Sequence, residues 1–68
     1  MTSREIRQRF KKKGTSAKQW ARANGHREDT VNNVINNGKR AIRGDVTENI
    51  AREINEFLDK KVFDVKEG

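Results

Sequence analysis

A short polar segment, residues 27–36, carries side chains suited to hydrogen bonding with the edges of nucleotide bases. Asparagine can pair with adenine through two hydrogen bonds, arginine with guanine, and a carboxylate can accept from the cytosine amino group. Four asparagines between positions 32 and 37 also lower helix propensity, which a face built only for solubility would avoid. The segment therefore predicts a base-reading surface formed by Arg27, Glu28, Asp29, Thr30, Asn32, Asn33 and Asn36.

Some of these residues also have structural interpretations. Glu28 and Asp29 would also stabilise the beginning of a helix, where the backbone dipole is positive. Asn36 and Asn37 would also serve to end that helix, because asparagine tolerates the left-handed conformation found there.

Positive charge is concentrated in the first two thirds of the chain. The 68 residues contain 16 Lys and Arg against 10 Asp and Glu, a net charge of +6. Residues 1–44 carry +9 and residues 45–68 carry −3, which indicates a polyanionic partner on the N-terminal side. Cations flanking the polar segment are predicted to contact phosphates, namely Lys18, Lys39, Arg40 and Arg43. The run 11–13 either touches phosphate or completes a helix end.

Several function classes are excluded or disfavoured. The sequence has no Cys and a single His, so it offers no ligand set for a zinc site. It contains no Gly-rich phosphate loop and no hydrolase or metalloprotease motif, and we predict no enzymatic activity and no cofactor. Short length leaves little depth for a small-molecule pocket, so we expect no such ligand. We also expect no membrane association, and the absence of Cys fits a reducing cytoplasm.

Glycines and polar caps divide the chain into four predicted helices, at about 3–13, 16–24, 27–36 and 46–60. Thr2 with Glu5 has capping-box spacing, Thr15 or Ser16 caps the second helix, and Asp45 or Thr47 caps the fourth. We therefore expect a compact all-α domain over residues 1–60. The tail, 61–68, is expected to be frayed or to form part of a dimer contact.

Small and apolar residues at fixed spacing predict a helix-turn-helix between residues 17 and 36. Ala21 allows two helices to cross closely, and Gly25 supplies the left-handed backbone of a sharp turn. Val31 and Val34 would seat the third helix on the second. This leaves the outer face of the third helix free to enter a major groove.

Apolar spacing also predicts the core. The fourth helix carries one stripe, which consists of Val46, Ile50, Ala51, Ile54, Phe57 and Leu58. Trp20 could stack on a base, but its position beside Ala17 and Ala21 favours the core. His26 is interpreted as a turn residue or a phosphate contact.

These motifs resemble the lambda-repressor-like helix-turn-helix regulators. More narrowly, the chain looks like the short repressors of temperate, often Mu-like, phages and the small regulators found beside anti-CRISPR genes. The resemblance covers roughly residues 4–58 and rests on QWAR at 19–22 with Gly25, on VNNVIN at 31–36, and on RG at 43–44 followed by IA at 50–51. It implies that the residues facing bases are Arg27, Glu28, Asp29, Thr30, Asn32 and Asn33. It also implies that Lys39, Arg40 and Arg43 face the DNA backbone.

The chain departs from that family in three places. The wider family often has Gln where this chain has Ala17, so Ser16 or a backbone N–H must supply the corresponding phosphate contact. The family's Gly after the recognition helix falls at Asn37, with Gly38 one residue later. A fifth helix, which longer repressors use for dimerisation, is missing.

The sequence thus predicts a sequence-specific regulator of transcription that binds double-stranded DNA. One small module contacts few base pairs, so we expect a homodimer, at least on an inverted-repeat operator. The candidate dimer contact consists of the remaining apolar residues, Phe57, Val62, Phe63 and Val65. The alternatives are a protein-interaction adaptor that works through the acidic fourth helix, an excision-type accessory factor, and, less favoured, an RNA-binding protein.

Overall fold

The computed structural model describes residues 2–65, and every regular element in that range is helical. The elements are α1 (Ser3–Lys12), α2 (Ala17–Ala23), α3 (Glu28–Asn37), a single 3₁₀ turn (Gly38–Arg40) and α4 (Asp45–Leu58). The all-α, four-helix prediction is confirmed, and the predicted boundaries agree to within about two residues, the usual uncertainty of helix ends.

Polar side chains begin the first two helices as the sequence predicts. The Thr2 hydroxyl accepts from the Glu5 N–H at 3.3 Å, and the Ser16 hydroxyl accepts from the Gln19 N–H at 3.2 Å. Of the two predicted caps for α2, Ser16 is therefore the one used. In α4, neither Asp45 nor Thr47 is the N-cap residue, because Gly44 holds that position. Thr47 lies in the first turn, and its hydroxyl accepts from the Gly44 N–H.

Backbone hydrogen bonds close the ends of α1 and α2 in the same way. Thr15 N–H bonds to the Phe10 carbonyl and Gly14 N–H to the Lys11 carbonyl, while Gly14 takes φ +80°. The same 6→1 and 5→2 pattern, a Schellman motif, ends α2 around Gly25. Both glycines thus turn the chain sharply and satisfy the last carbonyls of their helices.

The core lies where the four helices meet. Its fully buried side chains include Phe10 of α1, Val31 and Val34 of α3, and Ile50 and Ile54 of α4. Stacked and tilted rings of Phe10, Trp20 and Phe57 extend this core, with centroids 5.5–6.2 Å apart. The prediction that Trp20 is a core residue is confirmed, since its side chain is 5% exposed.

Val46 does not belong to the buried stripe of α4, which corrects the sequence-based assignment. It lies in the first turn of the helix and is 66% exposed. The buried side chains of α4 begin one turn later, at Ile50, so the apolar stripe starts there and not at Val46.

The tail is docked on the domain as far as Val65. Asn55, which is 3% exposed, accepts from the N–H groups of Val62 and Phe63 and donates to the Phe63 carbonyl, all at 2.9 Å. One buried amide therefore satisfies three backbone groups and holds Phe63 and Val65 against the core. The domain extends through Val65, and residues 66–68 of the predicted tail lie outside the described residues.

The predicted dimer contact is corrected by this docking. Phe63 and Val65 are 6% and 8% exposed and are buried by the chain itself. Phe57 and Val62 are partly buried against the same core. A second copy could reach Phe63 or Val65 only if the tail left its place, so the prediction is wrong for these two residues.

Candidate nucleic-acid interface

Helices α2 and α3 are held together by buried apolar side chains and a four-residue connection. Ala21, Val31 and Val34 have no exposed surface, as expected for the contact between the two helices. In the connection, the His26 N–H bonds to the Ala21 carbonyl at 2.8 Å while Gly25 takes φ +73°. The burial of Ala21, Val31 and Val34 and the positive φ of Gly25 agree with the sequence analysis, while the helix-turn-helix itself stays a prediction.

The opposite face of α3 is polar and largely open to solvent. Five of the seven predicted base-reading residues are exposed, namely Arg27, Asp29, Asn32, Asn33 and Asn36. Asp29, Asn32 and Asn36 follow one another at helical spacing along this face. Glu28 and Thr30 are only partly exposed and flank the face.

Glu28 is engaged within the protein by cations of α2. Its Oε1 lies 3.7 Å from Lys18 Nζ, and its Oε2 lies 3.4 Å from Arg22 Nη2. About a third of the Glu28 side chain is exposed, whereas both cations are two-thirds exposed. The structure therefore joins a predicted base reader and a predicted phosphate contact in one ion-pair cluster, which ties α2 to the start of α3.

Arg7 of α1 contacts the polar face of α3. Its Nη2 donates to Oδ1 of Asn32 at 2.7 Å and to Oδ1 of Asn36 at 2.9 Å. All three side chains are exposed, so the contact lies on the surface. Sequence reasoning missed Arg7. The one feature that could have indicated its contact with α3 is its position next to Ile6, at the border of the buried stripe of α1.

A second amide contact lies one residue further around α3. Asn37 Nδ2 donates to Asn33 Oδ1, and both side chains are exposed. Asn37 is the last residue of α3, and the positive φ that ends the helix falls on Gly38, at +56°. Asn37 therefore does not take the left-handed role that the sequence left open for it.

Cations predicted to contact phosphate lie beyond the end of α3. Lys39 and Arg40 are exposed on the 3₁₀ turn, and Arg43 is exposed after it. Arg43 Nε donates to the Arg40 carbonyl at 2.8 Å, and its backbone N–H donates to Thr47 Oγ1 at 2.9 Å. These bonds fix the loop while the charged groups face solvent.

The remaining residues predicted from the sequence make contacts within the protein. Ser16 is exposed and accepts one hydrogen bond as the cap of α2. The run 11–13 is exposed at the end of α1, and Lys13 Nζ lies 5.2 Å from the centroid of the Phe57 ring.

His26 Nε2 lies 2.6 Å from Glu53 Oε2, and its ring is tilted against Trp20. This histidine links the α2–α3 turn to α4.

Comparison with protein families, curated proteins and solved structures finds no match to this chain. The fold alone defines a small all-helical domain with one polar helix face bordered by cations. Within residues 2–65, no group of three or more His, Cys, Asp or Glu side chains is placed to hold a metal ion. Over the same range, every helix is too short or too polar to cross a bilayer.

Proposed function

We propose that this protein is a sequence-specific, double-stranded DNA-binding regulator of transcription, and that α2 and α3 are its helix-turn-helix. The observation that carries this proposal is the exposed face of α3, where Asp29, Asn32, Asn33 and Asn36 stand clear of the core, with exposed Arg27 directly before the helix. Amide, guanidinium and carboxylate groups on one open helix face match the donors and acceptors of the major groove.

The distribution of charge supports the same orientation on DNA. Exposed Lys39, Arg40 and Arg43 follow α3, and exposed Lys18 lies on α2 before it. Cations on both sides of a helix in the major groove would meet the two phosphate backbones that border the groove. Ser16 would add a neutral hydroxyl donor on the α2 side. The acidic α4 lies outside this surface.

The resemblance to short phage regulators supports a repressor or autorepressor of a phage or other mobile element, acting in the bacterial cytoplasm at the nucleoid. Two copies would occupy an inverted repeat with half-sites about 34 Å apart, since one module contacts too few base pairs for useful specificity. No cofactor takes part in this proposal.

The test is an anisotropy titration at about 150 mM salt, where purely ionic binding fades. A labelled duplex from the DNA upstream of the coding region is competed with the same bases in scrambled order. The proposal expects the scrambled duplex to compete at least a thousandfold more weakly, which is the lower limit of the range of about 10³–10⁷ seen for specific over non-specific binding. Equal competition by both duplexes would contradict sequence-specific binding, and no binding of the labelled duplex would favour an interaction adaptor.

A further inference from the structure

The contact between Arg7 and the two asparagines of α3 fixes which way their amides face. A guanidinium group has only donors, so it turns the Oδ1 atoms of Asn32 and Asn36 toward itself, at 2.7 and 2.9 Å. Both Nδ2 amino groups therefore point away from Arg7. The Asn33–Asn37 pair differs, because two amides can exchange donor and acceptor and still be bonded.

The outer surface of this cluster consequently offers donors. It presents two amide NH₂ groups and the remaining N–H groups of Arg7, with one positive charge. Paired readout of adenine requires asparagine to accept from the N6 amino group and donate to N7. Each Oδ1 atom keeps a second lone pair that could accept another hydrogen bond. A base amino group that donated to this lone pair would lie beside the positively charged guanidinium of Arg7, which disfavours the contact.

Guanine is the base that matches a donor-only surface. It shows two acceptors in the major groove, N7 and O6, whereas adenine shows one acceptor and one donor. We propose that Arg7, Asn32 and Asn36 form a donor cluster that selects guanine, and that Arg7 is the positioning residue that excludes adenine. This inference rests on the proposed DNA-binding function and adds the class of base that α3 reads.

Removal of Arg7 should change base preference and not merely affinity. Without the guanidinium, the amides of Asn32 and Asn36 can rotate and present Oδ1 together with Nδ2, which is the pattern that pairs with adenine. We expect Arg7→Ala to reduce the preference for guanine over adenine by roughly tenfold at one or two positions of the half-site. Arg4→Ala is the matched control, since Arg4 is an exposed arginine one turn earlier on α1.

The experiment selects bound duplexes from a randomised pool at about 150 mM salt with three proteins: the natural chain, Arg7→Ala and Arg4→Ala. Circular dichroism of each variant confirms that its helices are intact. The enriched site is then remade with 7-deazaguanine, which lacks N7, or with inosine, which keeps N7 and O6. The natural chain should lose roughly tenfold in affinity with 7-deazaguanine and little with inosine.

Three results are distinguishable. Guanine enrichment that broadens to adenine only in Arg7→Ala supports the inference. An enriched site that stays the same in Arg7→Ala, with affinity lowered as in Arg4→Ala, overturns the inference and leaves the proposed function standing. A pool that none of the proteins enriches overturns the proposed function and, with it, the inference.

Discussion

The side chains on the surface of α3 differ in whether they bond to another helix, and this difference decides which of them can be tested alone. The Asn33 side chain accepts a hydrogen bond from Asn37 of the same helix. Asn32 and Asn36 are bonded to α1, and Glu28 is paired with cations of α2. Arg40 is exposed on the turn that follows the helix. The roles of Asn33 and Arg40 can therefore be tested with little disturbance to the packing of the helices.

Asn33→Ala and Arg40→Ala should weaken DNA binding in different ways. In the proposed complex Asn33 contacts a base, so its loss should lower affinity for the preferred site by about 1–3 kcal/mol and make one base position less selective. Arg40 is proposed to contact a phosphate, so its loss should weaken binding to all sequences alike and flatten the salt slope by about one. Titrations at several salt concentrations measure both effects. A change of base preference in Arg40→Ala would contradict this assignment.

Asp59 is the one residue other than glycine with a positive φ, +52°, among residues 2–65. Left-handed backbone costs an L-residue about 1–2 kcal/mol, and a carboxylate is also unfavourable at a helix C-terminus. Asp59→Gly should therefore raise the free energy of unfolding by about 1 kcal/mol. Urea denaturation measures this change. Asp59→Ala removes the same charge but keeps Cβ, so a gain as large in Ala as in Gly would refute the backbone explanation.

At the scale of elements, the docking of the tail on α4 depends on Asn55. Its amide bonds to three backbone groups of Val62 and Phe63. Asn55→Ala would leave those groups without partners, so we expect a loss of about 2–3 kcal/mol in unfolding free energy and faster amide exchange at both residues. Asn49→Ala, on the exposed side of the same helix, is the control. Unchanged exchange at Val62 and Phe63 would show that apolar packing alone holds the tail.

The α2–α3 pair is tied by Glu28 at a partly exposed site, where an ion pair contributes little to stability. Glu28→Gln should therefore cost less than about 1 kcal/mol in unfolding free energy. It frees Lys18 and Arg22 from a negative charge, so non-specific DNA binding should strengthen and its salt slope should steepen. A changed base preference without a change in salt slope would instead restore Glu28 as a base reader.

The four helices were predictable from sequence because caps, glycines and apolar spacing agree with one another along the chain. Thr2, Ser16 and Gly25 each work through neighbours close in sequence, and such contacts follow from spacing. The contacts that sequence reasoning missed join different elements: Arg7 of α1 bonds to α3, and Asn55 of α4 bonds to the tail. The residue types do not predict the partners of Arg7 and Asn55, because arginine and asparagine are both common on solvated helix faces.

For the whole molecule, the burial of Phe63 and Val65 changes what is expected of dimerisation. Among residues 2–65, Val46 is the one large hydrophobic side chain that is exposed. A stable interface usually buries about 1,200–2,000 Å² with an apolar centre, which this surface does not offer. We therefore expect the free chain to sediment as a 7.9 kDa monomer and two copies to assemble on an inverted-repeat duplex.

Sedimentation velocity with a one-half-site duplex as the control tests this expectation. One copy should bind the single half-site, and two copies should bind the inverted repeat. A stable dimer in the absence of DNA would contradict the expectation and require an interface that uses other surfaces.

The orientation of α3 toward the bases is the central claim, and NMR titration of the side-chain amides tests it most directly. On addition of the preferred duplex, the Nδ2H₂ signals of Asn32, Asn33 and Asn36 should shift most, and a scrambled duplex should leave them nearly unchanged. The signals of Asn49, on α4, serve as the internal control. Shifts confined to backbone amides near residues 11–13 and 39–43, and equal for both duplexes, would contradict the claim.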